Sequence, residues 1–136
     1  MNIEDAVEWI QIADSDFDSA KLLNEAVRKH YEIICYHCAQ AVEKYLKGYL
    51  VSNNIIPEKT HNLLFLNKLC MEKDKSFEAI IVECGFLNRF ASSTRYPHRY
   101  EIAEADANFS IGVVKKIREF APISELINII ANRIAP

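Results

Sequence analysis

One pattern near the amino terminus constrains the fold more than any other. Ile3, Ala6, Ile10, Ala13, Phe17, Ala20, Leu23 and Val27 recur at steps of three or four residues, the spacing that lines one face of an α-helix. A strand would need a period of two. A stripe this regular is the seam of a helix packed lengthwise in a bundle, and it requires no cofactor pocket to explain it. It predicts a first helix from Ile3 to near Arg28, with Asn2 as N-cap and Asp5 in the first turn, where negative charge suits the helix dipole.

The rest of the chain agrees with a helical reading. Only three glycines and four prolines are spread over 136 residues, too few for the turns of an all-β domain. At this length a single domain spanning residues 1–136 buries roughly two-thirds of its unfolded surface, enough for one core. A break around Lys29 and His30 precedes a second helix, Tyr31 to Ser52, antiparallel to the first because so short a connection permits no crossover. The segment Asn53 to Pro57 ends it. Thr60 is expected to cap a third helix from His61 to about Glu72, supplied with apolar residues by Leu63, Leu64, Leu66 and Leu69. Asp74 is expected to cap a fourth, carried by Phe77, Ile80, Ile81, Cys84, Leu87 and Phe90 to about Ala91.

Ser92, Ser93 and Thr94 then compete for backbone hydrogen bonds, and Pro97 disfavours helical geometry at Tyr96, so residues 91–100 read as a polar loop. A fifth helix starts near Ala103 to Glu104 and carries Ala107, Ile111 and Val114 toward Phe120. Pro122 opens a last short helix, Ile123 to about Arg133. Its Leu126, Ile127, Ile129 and Ile130, with Ile134 beyond, either close the bundle or form part of a subunit contact. The fold expected is all-α, an up-down antiparallel bundle of about five helices: a four-helix core plus a short C-terminal helix.

Net charge excludes some functions. At −3 the surface as a whole lacks the positive field by which a protein grips long nucleic acid at many phosphates, so any RNA contact is local. The candidate patch is Arg89, Arg95, His98 and Arg99, in a stretch without an acid. The start of the chain, Met1 to Ala6, lacks the basic-then-apolar order of a signal peptide, and no apolar run reaches the roughly 20 residues that cross a membrane. A cytoplasmic protein with reduced thiols is expected. Cys35 and Cys38 form a Cys-x-x-Cys pair inside a helix, while Cys70 and Cys84 supply no second pair at finger-like spacing, so no metal site is expected.

The second helix carries the most informative letters. In Tyr36 to Leu50, the residues Cys38, Ala41, Val42, Tyr45, Leu46 and Leu50 form an apolar stripe, with Glu43, Lys44 and Lys47 largely outside it. Ala39, Ala41 and Gly48 would let a neighbouring backbone come close. Glu43 and Lys47 lie one turn apart, a pairing worth about 0.2 to 0.5 kcal/mol on a helix surface. Gln40, Ala41, Glu43, Lys44, Leu46 and Lys47 closely resemble the Gln-Ala-x-Glu-Lys-x-Leu-Lys signature of the HEPN domain. Thr60-His61 and Thr94-Arg95-Tyr96-Pro97 follow in the order that resemblance leads one to expect, and it covers roughly residues 1 to 120. The resemblance implies a small helical domain linked to nucleotide binding and RNA cleavage, often a homodimer, and in stand-alone members paired with a separately encoded minimal nucleotidyltransferase as toxin and antitoxin.

The same resemblance supplies a nuclease motif, an Arg, four to six intervening residues and a His, often followed by Tyr two places on. Here Arg89 and His98 are separated by eight residues and Arg95 and His98 by two, and only His98-Arg99-Tyr100 keeps the final part. Cleavage by a 2′-hydroxyl needs a base and a cation to stabilise the phosphorane. His98 is the candidate base and Arg95 the candidate phosphate clamp, with Arg89, Tyr96, Arg99, Tyr100, Lys44, Lys47 and His61 as candidate ligand contacts. Equally, Arg95 can pair with Glu101 or Asp106 simply to pin the loop. His37 and His61 have structural readings too, His37 beside the buried stripe and His61 in the first turn of the third helix. Three functions stay open: a nucleotide- or RNA-binding partner of a nucleotidyltransferase, a metal-independent ribonuclease toxin, and a non-catalytic dimeric interaction module. None requires a cofactor.

Overall fold

The computed structural model describes residues 2–92 and 101–134, the last by its backbone alone. Among them are six α-helices and no strand: α1 (Ile3–Asn24), α2 (Tyr31–Ser52), α3 (Leu63–Lys73), α4 (Ile81–Asn88), α5 (Glu104–Glu119) and α6 (Ala121–Ile134), with a 3₁₀ segment Lys75–Ile80 before α4. The arrangement is the expected all-α bundle. Its buried side chains form one core.

α1 begins as its sequence dictates. The Asn2 side chain accepts from the Asp5 amide at 3.3 Å, and the Asn2 amide donates to the Ser52 carbonyl at 2.7 Å, tying the start of α1 to the end of α2. Ile3 through Ala20 of the stripe are buried, but the helix stops at Asn24, short of Arg28, and Val27 is fully exposed. Periodicity alone does not hold a helix in water. Beyond Asn24 the stripe meets no partner surface among the described residues, and most helical stability comes from packing. At the other end of the hairpin, a Cβ on Gly48 would lie 2.8 Å from Ile10 Cδ1 and 3.3 Å from Trp9 Cβ, so the close approach expected of the small residues is real at this position.

α2 ends in a Schellman arrangement: the Ile55 amide donates to the Leu50 carbonyl and the Asn54 amide to that of Val51, with Asn54 in the left-handed region at φ 62°. α2 packs against α1, α3, α4, α5 and α6. That central position corrects one expectation. Glu43 and Lys47 are buried and Lys44 is half-buried, although their helical phase lies outside the apolar stripe, because α2 is covered on nearly every face.

α3 starts two residues later than expected. Asn62, not Thr60, is the N-cap, its side chain accepting from the Phe65 amide at 3.1 Å, while Thr60 Oγ1 accepts from the Asn62 amide and shapes the preceding turn. His61 therefore precedes the helix rather than opening it. Leu63, Leu66 and Cys70 are buried, whereas Leu64 is exposed.

Asp74 does act as a cap, accepting from the Ser76 amide at 2.9 Å, but a 3₁₀ segment follows where a continuous helix was expected. Phe77 and Ile80 are both buried, and a three-residue turn places residues three apart on one line. α4 stops at Asn88, before the expected Ala91. α5 opens with Asp106 reaching back to accept from the Ala103 amide at 2.9 Å. In α6, which starts at Ala121 rather than Ile123, the side chains of Ile123, Leu126 and Ile130 are buried and Ile127 and Ile129 packed against the core, so this helix closes the bundle. The Ile134 side chain lies outside the described residues.

All four cysteines are free and buried. Burial pushes the Cys35 thiol up to about 11 and the Cys84 thiol up to about 12, and raises Cys38 and Cys70 as well, which keeps them protonated and unreactive.

Candidate functional site

Two polar networks radiate from α2, and the signature residues build the first. Glu43 is 1% exposed. A lone carboxylate so placed would be expensive, so its oxygens need donors. Lys44 Nζ and Lys47 Nζ donate to Oε2 at 2.9 and 3.0 Å, and His61 Nδ1 lies 2.7 Å from Oε1. Lys44 also donates to Gln40 Oε1 at 2.9 Å, and the Gln40 amide reaches the Ala91 carbonyl at 3.4 Å. Lys47 in addition sits 5.7 Å from the centre of the Trp9 ring. Burial by itself would raise the Glu43 carboxyl, but the hydrogen bonds from Lys44, His61 and Lys47 outweigh it and hold the carboxyl below its ordinary value.

This cluster is not neutral. One carboxylate is shared by two ammonium groups, leaving one positive charge uncompensated before the imidazole is counted. Within a chain of net charge −3, that is a local positive field. His61 carries the network outward: its side chain is 60% exposed and lines an open cleft of about 470 Å3 together with Lys59, Thr60, Asn62, Asn88, Ala91 and Ser92. Asn88 Oδ1 accepts from the Leu63 amide at 2.8 Å, which joins the end of α4 to the start of α3 and fixes two walls of the cleft.

The second network is one that the sequence reasoning missed. The Tyr45 hydroxyl donates to Asp14 Oδ1 and accepts from Arg118 Nε at 2.8 Å, and an Arg118 nitrogen lies 3.3 Å from Asp14 Oδ1. Burial and the adjacent Asp14 carboxylate raise the Tyr45 hydroxyl, which therefore stays protonated. A signal existed: a tyrosine on a buried stripe needs a partner for its hydroxyl, and Asp14 lies on the helix expected to face it. His37 has a similar structural tie, with Nδ1 3.0 Å from Asp16 Oδ1.

Of the expected site residues, the structure brings Lys44, Lys47 and His61 together in one network. It places Arg89 apart from them. The Arg89 guanidinium donates to Asp106 Oδ1 at 2.9 Å and sits 4.7 Å from the ring centres of both Phe86 and Phe90. This pair joins the end of α4 to the start of α5, the two stems of the 93–100 connection. Arg95, Tyr96, His98, Arg99 and Tyr100 lie outside the described residues.

A helical hairpin with a buried polar network at its centre, walled by a turn and the end of a fourth helix, defines a class of small all-α bundle. A family model described as "HEPN domain" matches residues 6–126, and this chain belongs to that family. Among solved structures, the crystal structure of TT1696 from Thermus thermophilus has a similar fold, with a TM-score of 0.78 at 22% identity over 93% of this chain and 99% of that one. A search of the curated proteins finds no match. Among the described residues, no helix is long and apolar enough to cross a membrane.

Proposed function

We propose that this chain works as one HEPN-like domain over residues 1–136, binds nucleotide or RNA, and acts as a homodimer with a separately encoded minimal nucleotidyltransferase in a toxin-antitoxin-type pair. One observation carries the binding part: the excess positive charge around Glu43 lies beneath a cleft whose wall ends at Ser92, where the chain enters the stretch containing Arg95, Tyr96, His98, Arg99 and Tyr100. Arg95 supplies the phosphate clamp, because a guanidinium presents fixed donors that match phosphate oxygens and keeps its charge at any working pH. Tyr96 and Tyr100 supply surfaces on which a base stacks. Lys44 and Lys47 act as a field rather than as direct contacts, since Glu43 holds both ammonium groups, and Arg89 braces the stem.

The test is saturable binding of ATP and of short RNA to the purified protein, followed by calorimetry. Arg95→Ala is expected to weaken it at least about tenfold, the scale of one lost charge-assisted contact. Binding indifferent to that substitution defeats the clamp. Copurification with a nucleotidyltransferase encoded beside the gene tests the partner. Incubation with RNA in EDTA tests cleavage, where loss on His98→Ala would favour the ribonuclease reading.

A further inference from the structure

We propose that the cleft between the 59–62 turn and the end of α4 takes a phosphodiester, and that His61 binds it only after taking up a proton at Nε2. The inference rests on the nucleotide- or RNA-binding reading and deepens it by naming the contact and its dependence on pH.

Glu43 fixes the tautomer. Its carboxyl is held below its ordinary value and stays ionised, so the His61 nitrogen 2.7 Å away, Nδ1, is the one that carries the proton. A neutral His61 therefore offers a lone pair at Nε2, which has no partner among the described residues. A lone pair repels a phosphate oxygen. When Nε2 gains a proton, the same ring becomes a donor on both edges, one to Glu43 and one to the ligand. The charged groups facing it are Glu43, Lys44 and Lys47 from α2 and Lys59 from its own turn, while Asn62 and Asn88 contribute uncharged walls. Glu43 accepts from Nδ1 whether or not Nε2 carries a proton, and a phosphate oxygen can accept only from the protonated Nε2. Ligand binding and proton uptake are thus coupled: each favours the other.

The probe is a 2′-deoxy trinucleotide without terminal phosphates. Its phosphodiesters do not titrate near neutrality, and it offers no 2′-hydroxyl for cleavage. Binding is measured by calorimetry at pH 6 and pH 8, in two buffers of different ionisation enthalpy. The wild-type protein is expected to bind at least about fivefold more tightly at pH 6, with net proton uptake, since a histidine changes charge within this window. His61→Gln, a change at an exposed side chain, is expected to bind equally at both values. His30→Gln, at an exposed histidine whose side chain makes no cap hydrogen bond at the start of α2, is expected to keep the wild-type difference. Equal wild-type affinity at the two values overturns the inference while leaving the binding reading intact. So does a difference that survives His61→Gln, or one that vanishes in His30→Gln. No binding of the probe at either pH overturns the inference and counts against the binding reading as well.

Discussion

The two networks on α2 are made of similar parts and solve different problems. Around Tyr45, one carboxylate, one guanidinium and one hydroxyl satisfy each other, the charges cancel, and Asp14 and Arg118 keep about a third of their side-chain surface in water. Around Glu43, two ammonium groups and an imidazole converge on one nearly inaccessible carboxylate, and the charges do not cancel. A balanced network is complete within the fold. An unbalanced one opening on a cleft has capacity left for an anion, which is why the functional proposals attach to Glu43 and His61 and not to Tyr45.

Substitutions can break that comparison, and the largest effect belongs to Glu43. Glu43→Gln removes the anion that Lys44 and Lys47 share, leaving buried ammonium charge uncompensated, and should cost about 3 to 5 kcal/mol in urea denaturation. Its pH signature follows from the lowered carboxyl. The unfolded chain binds this proton more readily than the folded one, so the stabilisation is complete above the ordinary carboxyl value of 4.5 and is lost as pH falls through the lower folded value. Glu43→Gln should flatten that acid limb of the stability curve. An unchanged limb would mean that Glu43 does not hold the charge assigned to it.

Tyr45→Phe should cost less, about 0.5 to 1.5 kcal/mol, because Asp14 and Arg118 remain within reach of each other and of water after the hydroxyl is gone. A loss as large as that of Glu43→Gln would erase the distinction between the two networks. Gly112→Ala sets the scale from outside both. A Cβ there meets no atom within 4 Å, and replacing glycine inside α5 should raise stability by about 0.5 to 1 kcal/mol, read as a shift in the urea midpoint.

Much of the fold is legible in the residues. The Ile3 to Ala20 stripe, the Asn2 cap, and the limits of α2 at Tyr31 and Ser52 all stand as the spacing predicts. The departures have separate causes: α1 falls short of Arg28 where Val27 is left exposed, α3 waits for the Asn62 cap, and the helix expected from Asp74 opens as a 3₁₀ segment that buries Phe77 and Ile80. Of the site, Lys44, Lys47 and His61 could be named from the letters, but their joint possession of Glu43 could not. Helical phase placed Glu43, Lys44 and Lys47 on an outer face, and phase is blind to how many neighbours surround a helix.

By itself the sequence determined the helical class, the hairpin of α1 and α2 and the family signature, because these follow from the period of apolar residues and from short-range caps. Only the tertiary structure decided that the signature's charges are buried and that His61 leaves its helix to meet Glu43. Burial and long-range pairing depend on which elements cover a residue, and His61 lies 18 positions from its carboxylate. A local pattern carries no record of that distance.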